Sequence, residues 1–157
     1  MSARTARRSA GIVLYRVVSG APQVLLGHMG GPFWARRHAG AWTIPKGEYD
    51  PGETPEAAAR REFGEELGVP PPEGDLVPLG EVRQSGGKIV TAFALHGDLD
   101  LDAVVPGTFV LEWPKRSGIV REYPELDRVD WFDLDRARDA VVVAQRVFLD
   151  RLEERLA

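Results

Sequence analysis

The stretch from Thr54 to Gly68, TPEAAARREFGEELG, has little choice but to form a helix. Thr54 offers an N-cap oxygen, Pro55 suits the first helical position, and Glu56 places acid in the first turn. Gly68 is a good residue just past the end, so the spacing predicts a helix over Pro55–Leu67. Its apolar positions Ala58, Phe63 and Leu67 are five and four apart, a thin stripe for packing. Gly64 inside the helix costs about 1 kcal/mol relative to alanine. The carboxylates are the anomaly. Glu62, Glu65 and Glu66 fall at i, i+3 and i+4 and so leave one face of one turn, where like charges repel. They also stand in the C-terminal half, where the helix dipole disfavours negative charge. A hard dication reverses both penalties, because an oxygen-only cluster suits Mg²⁺, Mn²⁺ or Ca²⁺. Mg²⁺ takes one or two protein carboxylates and completes its shell with water and phosphate. Three acids on one face therefore imply more than one ion and a phosphate-bearing ligand.

The remainder of the chain is read as a polar arm, residues 1–8, followed by a single domain over 9–157. A chain of 157 residues is long enough to bury roughly two-thirds of its unfolded surface. Its longest apolar runs, such as AVVVA at 140–144, are too short to cross a bilayer, so no membrane association is expected. The N-terminus has no apolar h-region, and cysteine is absent; both fit a cytoplasmic protein. A net charge of −4 argues against a stable complex with nucleic acid. Positive charge lies outside the acidic stretch, at Arg36, Arg37, Lys46, Arg83, Lys88, Lys115, Arg116 and Arg121. Only three of the twenty basic residues are lysine, a bias that with abundant alanine suggests a GC-rich bacterial genome.

Residues 10–18 and 23–29 read as a hairpin, and 30–40 as a Gly/Pro-broken loop. AWTIP is a short strand ending at Pro45. Residues 76–84 and 89–99 form a second hairpin around SGGK, with further strands at 108–113 and 128–134. Residues 139–156 read as one C-terminal helix. Five to seven strands with two or three helices at irregular intervals indicate a mixed-sheet α/β or α+β sandwich.

Gly47, Glu53, Arg61, Glu62, Phe63, Glu65, Glu66, Gly68 and Val69 fill every fixed place of the pattern G-x5-E-x7-R-E-U-x-E-E-x-G-U, with U apolar. At ordinary residue frequencies, such a match arises by chance less than about once in a hundred million windows. The stretch resembles the Nudix box. The flanking hairpin, WTIPKG and the C-terminal helix extend the resemblance over residues 9–156. It implies an α/β/α sandwich and a Mg²⁺- or Mn²⁺-dependent hydrolase of nucleoside diphosphates linked to another moiety, with two or more ions. Glu62, Glu65, Glu66 and the carbonyl of Gly47 are then the metal ligands, and Glu53 braces Arg61. Glu65 or Glu66 is the implied base. Some relatives use a distant glutamate instead, for which Glu112, Glu122 and Glu125 are the candidates. The chemistry is attack of water on phosphorus, with charge on the bridging oxygen neutralised by the cations.

For the substrate, Lys46 is placed to hold a phosphate as a point charge, with Lys88 and Arg116 as further cations. Phe33 and Trp34 beside Arg36 and Arg37 could stack a base and grip phosphate, or simply anchor a loop. EWPKRSGIVREYPE, residues 112–125, reads as an irregular loop that closes over substrate. The Pro45-Lys46-Gly47 step is similar to that of the diadenosine-polyphosphate and diphosphoinositol branches. VRQSGGK, by contrast, lacks both the tyrosine of dinucleoside-polyphosphate enzymes and the proline of ADP-ribose enzymes. A dinucleoside polyphosphate or nucleoside triphosphate leads as substrate. The alternatives are diphosphoinositol polyphosphate, ADP-ribose, and a catalytically idle nucleotide sensor. Family members are often homodimers.

Overall fold

A computed structural model describes residues 7–157. The expected arm falls mostly outside those residues, and Arg8 already belongs to the first strand. That strand, β1 (Arg8–Val18), runs through the middle of the molecule. It pairs in parallel with β6 (Ile89–His96), and antiparallel with β2 (Ala21–Met29) and β4 (Lys46–Glu48). Strand β3 (Trp42–Thr43) and strand β9 (Leu126–Asp133) pair with β2, and β5 (Val77–Arg83) closes the far edge. The result is a seven-stranded mixed sheet.

Alternation along β1 explains the layering, because successive side chains leave opposite faces. Ala10, Ile12 and Leu14 join Phe93 and Leu95 in one apolar cluster, against Ala58, Ala59, Phe63 and Leu67 of helix α1 (Pro55–Leu67). Val13, Val24, Leu26 and Val90 form the opposite cluster. Helices α2 (Leu134–Ala140) and α3 (Arg146–Leu156) cover it with Ala137, Phe148, Leu149 and Leu152. The expected α/β/α sandwich with a mixed sheet is what the chain forms.

Three elements differ from expectation. The C-terminal helix is broken: Val141 bridges to Trp42, and the Val142 N–H donates to the Trp42 carbonyl at 2.9 Å. A run of three β-branched valines is a poor helix but a good edge-strand partner, so the chain peels away before α3. Gln145, fully buried, then donates to Thr43 and accepts the Ile44 N–H at 3.0 Å, fixing the bend that leads to Lys46. Strand β4 was not anticipated, since three residues after a proline carry no periodicity. It lies close over Gly11, where a Cβ would collide with the Pro45 carbonyl and the Lys46 side chain. Residues 112–125 are not an irregular loop. Strand β7 (Thr108–Glu112) pairs with β8 (Val120–Pro124) in a separate two-stranded ribbon, and only the turn between them is irregular.

Candidate active site

Helix α1 is held at both ends. The Ala57 N–H donates to Thr54 Oγ1 at 3.2 Å, and Gly68, at φ 70°, donates to the Gly64 carbonyl at 2.8 Å. The last carbonyls are satisfied by a neighbouring segment: Val105 N–H donates to Leu67 at 2.8 Å and Gly107 N–H to Glu66 at 3.3 Å. That segment continues the brace, for the Glu125 N–H donates to the Gly107 carbonyl at 2.7 Å and the Gly30 N–H to the Glu125 carbonyl at 3.0 Å. Glu125, distant in sequence, is thereby pinned beside the C-terminal half of α1.

Glu62, Glu65, Glu66 and Glu125 line one cleft of about 470 Å³ together with Lys46, Gly47, Glu48, Lys88, Gly107 and Thr108. Arg61 organises its acidic wall. It grips Glu53 with two bonds of 2.8 Å, and its Nη1 donates to Glu62 at 2.8 Å and to Glu65 at 3.1 Å. The guanidinium is held above its usual range, first by the Glu53 bond. On the opposite wall, Lys46 N–H donates to Glu66 Oε2 at 2.7 Å. Burial pushes the Glu66 carboxyl up to about 7, with Glu125 and Glu62 adding to the rise while Lys46 opposes it. Burial also lowers the Lys46 ammonium, and Lys88 adds to that. At both ends of this lysine–carboxylate pair, desolvation outweighs mutual attraction. Glu125 is raised by burial and by Glu62. Gly47 has no room for a side chain, because a Cβ there would land on the Glu62 carboxylate.

These donors are oxygens and fit a hard dication in kind. Among the described residues, no three acidic, histidine or cysteine side chains are already gathered into a cage, and Glu62 and Glu65 are turned to Arg61. That suits an ion bound by few protein groups more than a closed all-protein site. A larger open hollow, about 1040 Å³, lies behind the 48–55 loop. Along its wall Arg7 pairs with Glu48 and Arg61 with Glu53, whereas the smaller cleft gathers Glu62, Glu65, Glu66 and Glu125.

Other sequence candidates lie elsewhere. Glu112 accepts the Arg116 N–H at 2.6 Å in the turn of the β7–β8 ribbon, and Glu122 accepts the Thr108 hydroxyl; neither lines the cleft. Phe33 and Trp34 stack edge to face at 4.8 Å, with the Arg37 guanidinium 4.2 Å over Phe33, in the 30–40 loop. Phe33, Trp34, Arg36, Arg37 and Arg116 are not among the residues of the cleft wall. Buried His28 fastens that loop, its ring nitrogens lying 2.7 Å from Asp127 Oδ1 and from the Arg37 carbonyl. Sequence reading missed Gly107 and Thr108, which reach the cleft only through the path of the chain between α1 and β9. No local pattern marks them.

A mixed sheet between helical layers, with a glutamate-bearing helix braced by arginine against a lysine-bearing strand, defines the class of Nudix-fold hydrolases. The chain belongs to the NUDIX family, whose domain model matches residues 5–152, and it is a Nudix hydrolase. It is 30% identical over 133 residues to the RNA pyrophosphohydrolase of Legionella pneumophila (strain Corby), covering 78% of this chain and 73% of the relative. It is 42% identical over 55 residues to the RNA pyrophosphohydrolase of Pseudoalteromonas translucida, spanning about a third of that relative's length (32%) and 34% of this chain. Among solved structures, an Ap4A hydrolase from C. elegans in a binary complex superposes with a TM-score of 0.66 at 24% identity, covering 96% of this chain and 98% of that one. The NUDIX domain of NrtR from Shewanella oneidensis, complexed with ADP ribose, gives 0.66 at 17% identity, covering 98% and 90%. At those identities the likeness speaks for the fold alone. No helix among the described residues is long and apolar enough to cross a membrane.

Proposed function

We propose that this protein is a Mg²⁺- or Mn²⁺-dependent pyrophosphohydrolase that cleaves a phosphoanhydride in a nucleotide substrate of the cytoplasm, with residues 9–157 acting as one domain. The observation that carries this reading is the cleft itself, whose wall brings the carboxylates of Glu48, Glu62, Glu65, Glu66 and Glu125 together with the two lysines Lys46 and Lys88. Glu62, Glu65, Glu66 and the Gly47 carbonyl would hold two or more ions. When bound, these ions neutralise charge on the phosphates, as in other phosphoryl-transfer sites.

The chain's own groups do the rest. Lys46 and Lys88 hold phosphate oxygens as point charges. Arg61 keeps Glu62 and Glu65 aimed from one turn of α1, and Glu53 keeps Arg61 in place. Among the distal glutamates Glu112, Glu122 and Glu125, only Glu125 lines the cleft, so we assign it the proton released as water attacks phosphorus. The P–O bond to the bridging oxygen breaks, and its electrons leave with the departing phosphate.

A dinucleoside polyphosphate fits the Pro45-Lys46-Gly47 step, as does a diphosphoinositol polyphosphate, and a nucleoside triphosphate suits the same cleft lysines. An RNA 5′-triphosphate is the second reading, favoured by the name that the relatives at 30% and 42% identity carry. A panel of these substrates with Mg²⁺, products identified by mass, decides between them; cleavage of none of them would overturn the assignment. Glu125→Gln is expected to lower kcat by roughly 10²-fold or more, the scale of general base catalysis, and a loss below tenfold would remove Glu125 as base.

A further inference from the structure

The cleft continues past its carboxylates. Its far rim is built from the two feet of the β7–β8 ribbon, Gly107–Thr108 on one strand and Glu125 after the other. From that rim the ribbon runs for five residue pairs, about 16 Å at 3.3 Å per residue. Register sorts its side chains. Phe109, Leu111, Arg121 and Tyr123 share one face, and this face is anchored: the Phe109 and Tyr123 rings lie 6.1 Å apart, and Phe109 packs over Gly31. The other face contains Thr108, the residue that lines the cleft, and it is open. Val110 is 68% exposed on this face and Val120 58%, with Ile119 46% exposed in the turn.

An isolated two-stranded ribbon is marginally stable in water, and one that shows its valines to solvent leaves apolar surface uncovered. The carboxylates of the open face are engaged within the ribbon, Glu112 by the Arg116 N–H and Glu122 by the Thr108 hydroxyl. At the tip, Lys115 and Arg116 have no carboxylate partner among the described residues. Cations therefore stand at two stations, Lys46 and Lys88 in the cleft and Lys115 and Arg116 at the tip, with the exposed Val110 and Val120 between them, each cross-strand from a glutamate, Glu122 and Glu112. A nucleoside triphosphate placed on the cleft lysines has no further phosphate to offer the tip. A single-stranded polynucleotide has one at every residue, with base faces between to lie on Val110, Val120 and Ile119.

We propose that the open face of the β7–β8 ribbon binds the single-stranded RNA chain behind a 5′-terminal polyphosphate seated in the cleft. This rests on the pyrophosphohydrolase reading above, and the test separates the two. The variant is Lys115→Gln with Arg116→Gln, both in an exposed turn, with folding checked by thermal melting. The first measurement needs no turnover: binding of a 5′-triphosphorylated ten-nucleotide RNA to the full chain, without divalent cation, across a salt series. Loss of two phosphate contacts should reduce the slope of log K against log salt by about 1.4, at about 0.7 per contact.

The second measurement, with Mg²⁺, is kcat/KM for that RNA divided by kcat/KM for a nucleoside triphosphate. This ratio is expected to fall at least tenfold in the variant. An unchanged slope and ratio overturn the proposal, as does an equal loss on RNA and on a dinucleoside tetraphosphate, which would make the ribbon a general nucleotide contact. If no polyphosphate is hydrolysed at all, the catalytic reading fails, and the salt slope alone still decides the ribbon.

Discussion

Helix α1 and the β7–β8 ribbon face each other across one cleft, yet they are fixed in different ways. The helix is fastened on every side. It has a side-chain cap at Thr54, a left-handed glycine at its end, four buried apolar residues against the sheet, and Arg61 tying three carboxylates together. The ribbon pairs with no strand of the main sheet and displays valines to solvent. What the difference teaches is a division of labour. Glu62, Glu65 and Glu66 ride on the packed element, Glu125 is tied to it through the Gly107 backbone, and the exposed ribbon is free to meet what differs from one substrate to another.

The largest expected effect tests that division on rate. Glu66→Gln and Glu65→Gln should each lower turnover by roughly two to four orders of magnitude while the protein stays folded. Glu122→Gln on the ribbon should cost less than about tenfold, a general base being worth 10²-fold or more, because its carboxylate serves only Thr108. Steady-state kinetics with circular dichroism read both, and comparable losses on the two sides would break the comparison.

Next is stability against pH in the presence of chelator. The folded Glu66 carboxyl titrates at about 7 against an ordinary value of 4.5, so the fold holds this proton more tightly than the unfolded chain does. Its contribution is complete below about pH 4.5 and is lost as pH rises through 7, amounting to about 3 kcal/mol. Denaturant melts at pH 5 and pH 8 measure the drop, which Glu66→Gln should flatten and Glu122→Gln should leave in place.

The smallest effect concerns Gly64. An added Cβ there meets nothing closer than the Val69 carbonyl at 4.0 Å, and its backbone is helical. Gly64→Ala should therefore raise stability by up to about 1 kcal/mol, read as a higher denaturation midpoint. A destabilised variant would show that α1 is packed more tightly around Gly64 than this spacing allows.

Much of the α1 wall of the cleft could be read from the chain; of the rest, Lys46, Gly47 and Lys88 were named, while Glu125 was not singled out and Gly107 and Thr108 were not seen. Helix α1 is encoded locally: its cap, its stop and the i, i+3, i+4 spacing of Glu62, Glu65 and Glu66 are all contained in fifteen consecutive residues. The Glu53–Arg61 pair, with Glu53 just ahead of that segment, was what the resemblance to the Nudix box implied. Glu125 appeared in the sequence as one of three interchangeable glutamates, and what separates it from Glu112 and Glu122 is two backbone hydrogen bonds to glycines from distant loops. Strand β8 escaped because the turn residues Pro114 and Gly118 obscure the short pairing run that follows. The valines at 141–143 carried a helical period but were claimed by the Trp42 edge, a partner a hundred residues away.

By itself, then, the sequence determined the helix and its misplaced charges, because those properties depend on neighbours within four residues. Tertiary structure alone decided that Thr108, and Glu125 among the three distal glutamates, should meet those charges. Gly11 lets β4 press against β1, and Gly107 lets the chain pass between α1 and Glu125. Close backbone approaches of this kind are set by the packing of the whole sheet, which no short window of sequence contains.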